Sequence, residues 1–213
     1  MQQTDTYFGL LNEAALRSLA PKGTVRSFAK NVVVINEGDA TDSLYVVLSG
    51  RVKVFVNGED GKEVVVNTIG AGDYFGELVL DGGPRAASVM TLEPCRFYVI
   101  AHSDVEGLIR GNPAFAGNLI RRLIAKVRGL TAKVTDLVLR DNYGRFVRFV
   151  EENAVEQDGR RVIPEKLTQH DIAARIGGSR EMVSRILKDL IAGDYLSVKG
   201  KILIIKKKLP PKW

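Results

Sequence analysis

Cysteine is nearly absent from this 213-residue chain. Cys95 stands alone, which excludes an intramolecular disulfide and a four-cysteine metal site and fits a reducing compartment. Histidine is almost as scarce: His102 and His170 are the only two, and no nucleophile–base constellation accompanies them, so a non-enzymatic role is expected. No apolar run approaches the roughly 20 residues that a helix needs to cross a bilayer. Met1-Gln2-Gln3-Thr4-Asp5 lacks the basic and apolar regions of a secretion signal, so a cytoplasmic protein without a membrane partner is expected. What is present is ordinary for a globular chain, with 45% hydrophobic and 26% charged residues, enough for one large domain or two small ones.

The charge is not evenly spread. Residues 1–141 carry 16 basic and 16 acidic side chains, whereas residues 142–213 carry 15 and 9, so the whole net charge of +6 sits in the last third. That asymmetry points to a polyanionic partner for the C-terminal part, although Lys206, Lys207, Lys208 and Lys212 also suit a solvated tail.

The first hundred residues read as short strands cut by glycine turns. Val32–Ile35, Ser43–Leu48, Arg51–Val56, Glu63–Val66, Ala87–Val89 and Arg96–Ile100 are rich in β-branched and aromatic residues. Gly38-Asp39, Ser49-Gly50, Asn57-Gly58, Asp60-Gly61 and Gly70-Ala71-Gly72-Asp73 punctuate them, as in a small antiparallel barrel or sandwich. The period then changes. Residues 113–141 predict one long helix in which Ile120, Leu123, Val127, Leu130, Val134 and Leu137 recur at spacings of three and four, flanked by Arg121, Arg122, Lys126, Arg128 and Lys133. Such a seam either packs on its own barrel or pairs with a second copy; a polar-flanked helix between two domains favours a C2 homodimer. Gly129 weakens this helix and is expected to mark a close backbone approach. After Asp141-Asn142-Tyr143-Gly144 come a helix over 145–153, a turn at 157–160 and a short strand, Arg161–Ile163. Two helices around a glycine turn and a closing hairpin with a basic turn complete the chain.

Two segments carry chemistry. In Tyr74-Phe75-Gly76-Glu77-Leu78-Val79-Leu80-Asp81-Gly82-Gly83-Pro84-Arg85-Ala86-Ala87-Ser88-Val89, one acid and one arginine lie among small residues. Glycine admits close backbone approach, and successive amides facing one way form an anion-binding concavity. Arginine offers a planar fork that matches two phosphate oxygens, while a carboxylate beside it can accept from a sugar hydroxyl. An ordinary turn with an exposed Glu77–Arg85 ion pair is the alternative.

The second segment is Leu167-Thr168-Gln169-His170-Asp171-Ile172-Ala173-Ala174-Arg175-Ile176-Gly177-Gly178-Ser179-Arg180-Glu181-Met182-Val183-Ser184-Arg185-Ile186-Leu187. Thr168 is expected to cap a first helix with Ile172, Ala173 and Ile176 inward, Gly177 to permit a tight turn, and Ser179 to cap a second helix. Val183, Ile186, Leu187 and Leu190 form that helix's buried stripe, leaving Arg180, Glu181 and Arg185 on one outer arc. Arginine pairs with the acceptor edge of guanine, and glutamate accepts from the cytosine amino group. Lys199 and Lys201, on the hairpin turn that follows, are placed to meet phosphate.

The first segment resembles the phosphate-binding cassette of cyclic-nucleotide-binding domains, with its Gly-Glu-Leu turn ahead of an Arg-Ala pair. With the cap-turn-cap arrangement, nearly the whole chain resembles the CRP/FNR family of bacterial transcription regulators, and Ser179–Arg185 matches the recognition helix of its cyclic-AMP-receptor branch. The resemblance implies an α+β chain: a cyclic-nucleotide-binding β-roll over 1–112, a dimerisation helix over 113–141 and a winged helix-turn-helix over 142–213. It implies an allosteric homodimer that binds double-stranded DNA at a palindromic TGTGA-like site and works with RNA polymerase, without cofactor or metal. Glu77 would bind the ribose 2′-hydroxyl and Arg85 the cyclic phosphate, with Gly76, Leu78, Ala86 and Ala87 lining the pocket. Arg180, Glu181 and Arg185 would read base edges, Thr168 and Gln169 would lie on the DNA backbone, and Asp141-Asn142 would be the hinge. Where family members approach the purine with adjacent polar residues of the dimer helix, this chain has Leu130-Thr131, so only Thr131 can donate or accept. Ala86 favours cyclic AMP; cyclic GMP, or no ligand at all, are the alternatives. One cysteine excludes an iron–sulfur sensor of this architecture, and two histidines offer little for haem.

Overall fold

The structure is a computed structural model that describes residues 13–40, 42–157 and 159–210. The N-terminal segment read for a secretion signal, the Asp158 corner and Lys212 of the basic tail lie outside the described residues. The chain divides into two compact units, one running up to Asn57 and over Val65–Lys126, the other comprising Gly58–Val64 and the residues from Val127 onward.

The first unit opens with α1 (Glu13–Leu19), followed by β1 (Thr24–Phe28), β2 (Val33–Ile35), β3 (Ser43–Ser49), β4 (Arg51–Asn57), β5 (Glu63–Gly70), β6 (Tyr74–Phe75), a 3₁₀ turn at Glu77–Leu80, β7 (Ser88–Thr91), β8 (Cys95–Ala101) and α2 (His102–Gly111). The strands form two four-stranded sheets, in the orders β1-β8-β3-β6 and β2-β7-β4-β5. The paired registers are antiparallel, including all five residue pairs of β1 with β8. Strand β3 shows why the elements settle there. Alternate side chains of a strand point to opposite faces, and both faces of β3 are apolar. Leu44 and Val46 pack with Leu16, Tyr98, Val105, Phe115 and Leu119, while Tyr45 and Val47 pack with Val52, Ile69, Phe75 and Phe97. At the second face Phe97 meets Phe75 edge-on, with ring centroids 5.2 Å apart, and Phe75 stacks on Tyr45 at 4.9 Å.

Helix α3 (Pro113–Leu139) is continuous over 27 residues. Leu123 packs against the barrel core, whereas Ile120, Ile124, Val127, Leu130, Val134 and Leu137 are exposed along the helix. The expected close approach at Gly129 is not made within the chain, because nothing among the described residues lies within 4 Å of a Cβ built there.

The second unit contains α4 (Asn142–Asn153), β9 (Val155–Gln157), β10 (Arg160–Ile163), α5 (Gln169–Ile176), α6 (Arg180–Ala192), β11 (Leu196–Lys199) and β12 (Ile202–Ile205). Its sheet runs β11-β12-β10-β9. Phe146, Ile163, Ile172, Val183, Leu190 and Leu203 lie at the centre of its core. The helix expected over 145–153 begins three residues earlier, at Asn142. Asp141 is its N-cap, its carboxylate accepting from the Gly144 amide at 2.7 Å. That cap satisfies an amide which the first helical turn leaves without a partner.

Candidate functional site

The cassette begins where β6 ends. Gly76 takes φ +83°, and a Cβ there would sit 2.7 Å from Arg85 Nη1 and 2.9 Å from the Ser43 carbonyl. Both the backbone conformation and the space require glycine. The 3₁₀ turn that follows is anchored by Val79, which is fully buried.

Arg85 is fixed from both ends. Its amide donates to the Asp39 carbonyl at 2.9 Å, and its own carbonyl accepts from the Gly38 amide at 2.8 Å. The guanidinium donates to the Gly76 carbonyl at 3.2 Å and the Ser43 carbonyl at 2.9 Å, and the Tyr45 ring centroid lies 6.0 Å away. The side chain is only 5% exposed. Its nearest ion-pair carboxylate is Asp42 at 3.7 Å, itself largely exposed. Burial pulls the Arg85 pKa down, and the fields of Tyr45, Asp42, Glu77 and Asp39 oppose that pull. A buried cation held by neutral carbonyls is well suited to receive an anion. The exposed ion pair weighed from sequence is therefore not what forms.

Glu77 is bound elsewhere. Its carboxylate pairs with Lys126 of α3 at 2.9 Å, both side chains being mostly buried. Lys126 also donates to the Tyr74 carbonyl at 3.3 Å and lies 4.7 Å from the Tyr74 ring centroid. One turn earlier, Arg122 pairs with Asp73 at 2.6 Å and donates to the Gly72 carbonyl at 3.0 Å. In the sequence Lys126 and Arg122 stand only as charged flanks of the apolar seam. Both in fact tie α3 to the strand that carries the cassette, and Lys126 joins the set of candidate site residues. Leu78 and Ala86 are exposed, Ala87 is half-buried, and the buried Ser88 accepts the Glu37 amide through Oγ at 3.0 Å. Thr131 is exposed on α3 beyond the boundary of the first unit, and its hydroxyl donates to the Val127 carbonyl at 3.0 Å.

The second constellation is assembled as its caps require. Thr168 and Asp171 form a reciprocal capping box at the start of α5: Thr168 Oγ1 accepts the Asp171 amide at 3.1 Å, and the Thr168 amide donates to Asp171 at 2.7 Å. The Thr168 hydroxyl also donates to Asp171 at 2.6 Å, so its own proton is committed inside the box. Gly177 ends α5 at φ +67°, the left-handed conformation that this terminus favours in glycine. Ser179 then caps α6 by accepting the Met182 amide at 3.2 Å. Met182, Val183, Ile186, Leu187 and Leu190 are buried, whereas Arg180, Glu181 and Arg185 are exposed and Gln169 is half-buried. The Glu181 carboxyl is held below its ordinary pKa by its own amide and by the Ser179 hydroxyl. Lys188 is exposed three residues beyond Arg185 and continues the same face, a candidate signalled by helical spacing but missed from sequence. Lys199 and Lys201 are exposed at the β11–β12 turn, and the Lys201 carbonyl accepts the Leu167 amide at 3.0 Å, fixing that turn to the approach of α5.

Comparison with known proteins gives each constellation a counterpart. A cyclic nucleotide-binding domain matches residues 25–112, and a Crp-like helix-turn-helix domain matches residues 144–208. The CRP-like cAMP-activated global transcriptional regulator of Mycobacterium tuberculosis is 28% identical over 197 residues, covering 90% of this chain and 88% of that protein. The cAMP-activated global transcriptional regulator CRP of Haemophilus influenzae is 30% identical over 180 residues, covering 81% and 79%. Among solved structures, the c-di-GMP responsive global regulator CLP of Xanthomonas campestris superposes with a TM-score of 0.77 at 25% identity, covering 89% of this chain and 96% of that one.

Proposed function

The chain belongs to the CRP/FNR family of transcription regulators, and from that premise we propose that it is a cyclic-AMP-responsive homodimer reading a palindromic TGTGA-like site. The family consists of regulators, not enzymes, and the cyclic-nucleotide-binding and helix-turn-helix domains set its general role. The observation that carries the ligand reading is Arg85: a guanidinium 5% exposed, held by the Gly76 and Ser43 carbonyls beneath a glycine that admits no side chain. Arg85 receives the cyclic phosphate, Glu77 the ribose hydroxyl, and Gly76, Leu78, Ala86 and Ala87 line the pocket.

The exposed apolar row of α3 supports the dimer. In a parallel pair with Val127 and Val134 at a positions and Leu130 and Leu137 at d, Lys126 falls at g and Thr131 at e. Positions g and e of opposite helices face one another. Thr131 takes the base-contacting role that the family resemblance assigns to this part of the dimer helix. Arg180, Glu181 and Arg185 read base edges. Lys199 and Lys201 neutralise phosphates, and Thr168 and Gln169 present the start of α5 to the backbone. A two-fold dimer sets its recognition helices about one DNA turn, roughly 34 Å, apart. Ligand shifts the equilibrium by its differential affinity for the two states, about 1–3 kcal/mol. RNA polymerase is the proposed protein partner and the cytoplasm the proposed compartment. Calorimetric titration with cyclic AMP, cyclic GMP and cyclic di-GMP tests the ligand; binding of either guanine nucleotide equal to or tighter than that of cyclic AMP refutes the assignment.

A further inference from the structure

One side chain joins the end of α3 to the turn of the helix-turn-helix. Arg145, in the first turns of α4, donates through Nε to the Ile176 carbonyl at 2.7 Å and through Nη1 to the Arg140 carbonyl at 2.8 Å. Its Nη2 bonds the Asn142 side chain. Ile176 is the last residue of α5, and Arg140 follows the last residue of α3. One guanidinium therefore gathers carbonyls at two helix C-termini, where the backbone ladder leaves oxygens without partners and the helix dipoles favour a cation.

The base of the clamp is rigid. The Arg145 amide donates to the Asp141 carbonyl at 3.0 Å, within a helix that Asp141 also caps. An apolar contact joins the same two points, since Leu137 Cδ2 lies 3.0 Å from where a Gly177 Cβ would stand. Asp136 reinforces the junction by pairing with Arg140 at 3.0 Å and Arg148 at 2.6 Å. The junction read from sequence as a hinge at Asp141-Asn142 is thus bridged by polar and apolar contacts. Recognition helix α6 starts from Ser179, two residues past Gly177, so whatever fixes the end of α5 also fixes where α6 starts.

We propose that Arg145 is a positioning residue for DNA reading, making the orientation of α6 follow the end of α3. The inference rests on the chain being a ligand-responsive DNA-binding regulator and adds the joint through which the response reaches the reader. Arg145 acts through the Ile176 carbonyl and the Gly177-Gly178 turn, not by touching ligand or base. A lysine at this position keeps the charge, but its compact ammonium cannot span both carbonyls as a planar fork does.

The test uses full-length wild type, Arg145→Lys and Arg145→Gln. DNA affinity is measured with and without cyclic AMP, cyclic AMP affinity is measured without DNA, and thermal unfolding is followed for each. Both variants should keep a cooperative transition and a cyclic AMP affinity within about twofold of wild type, while the ligand-induced gain in DNA affinity falls by about fivefold or more. Linkage requires an equal fall in the gain that DNA confers on cyclic AMP affinity, which a general loss of phosphate contacts would not produce. If wild type responds and Arg145→Lys responds equally, the clamp is overturned and the functional reading stands. A variant that unfolds shows a structural role and also overturns the clamp. A wild type whose DNA affinity ignores cyclic AMP overturns the functional reading and the clamp with it.

Discussion

Arg85→Lys isolates what the fork geometry of the buried guanidinium contributes. In the folded protein Arg85 reaches two carbonyls, at 3.2 Å on Gly76 and 2.9 Å on Ser43, from a site only 5% exposed. A lysine ammonium retains the charge but reaches one of them, and a buried carbonyl left without its donor costs about 1–3 kcal/mol of stability. The variant should fold, with a lowered transition. On the ligand side, one charge-assisted hydrogen bond to phosphate is lost, about 1.5–3 kcal/mol, which is roughly 10- to 150-fold in Kd. Thermal unfolding with nucleotide makes the two effects separable. At about 100 times its Kd, cyclic AMP should stabilise the wild type by about 2.7 kcal/mol; for a variant binding about 50-fold more weakly, the same concentration gives about 0.6 kcal/mol. Calorimetric titration supplies the affinities directly. If Arg85→Lys binds cyclic AMP within about twofold of wild type, Arg85 is not the phosphate ligand and the pocket assignment fails.

Other substitutions probe the remaining parts. Gly76→Ala forces a Cβ to 2.7 Å from Arg85 Nη1 at φ +83° and should destabilise the first unit by on the order of 1–3 kcal/mol while abolishing ligand binding, as read by unfolding and titration. Arg185→Ala should weaken binding to the cognate site by about 1–3 kcal/mol and relax base choice at one position, whereas Lys199→Ala should weaken all sequences alike and flatten the salt dependence. Competition binding against single-base variants of the site separates the two. Val127→Glu sets like charges face to face at an a position of the paired helices and should give monomers by sedimentation; a variant that remains dimeric places the interface elsewhere.

The reader was legible almost residue by residue because its signals are local. A threonine cap, a glycine at the helix end, a serine cap and an apolar stripe at helical spacing each act within a few positions, and each is found where expected. The strands of the barrel were legible where both faces are apolar, as in β3. Strand β1, which pairs along one side only at the edge of its sheet, has the mixed sequence TVRSF and gave no alternation to detect. Helix α2 buries only Val105, and β6 is two residues long, so neither carries a period. In the cassette, residue types suggested an anion-binding turn, but the partners those side chains find did not follow from sequence. Glu77 pairs with Lys126, 49 positions away in the chain, through the docking of α3 on β6, and no local spacing encodes that contact. The structure also buries Arg85, which sets aside the surface-turn alternative.

The central claim is that nucleotide held at Arg85 changes how the reader engages DNA. Fluorescence anisotropy of a palindromic TGTGA duplex at one fixed salt concentration, with and without saturating cyclic AMP and beside a scrambled duplex, tests it directly. The predicted result is a ligand-dependent gain of about 5- to 150-fold in affinity for the palindrome, with little change for the scrambled sequence. An affinity for the palindrome that is the same with and without cyclic AMP would contradict it.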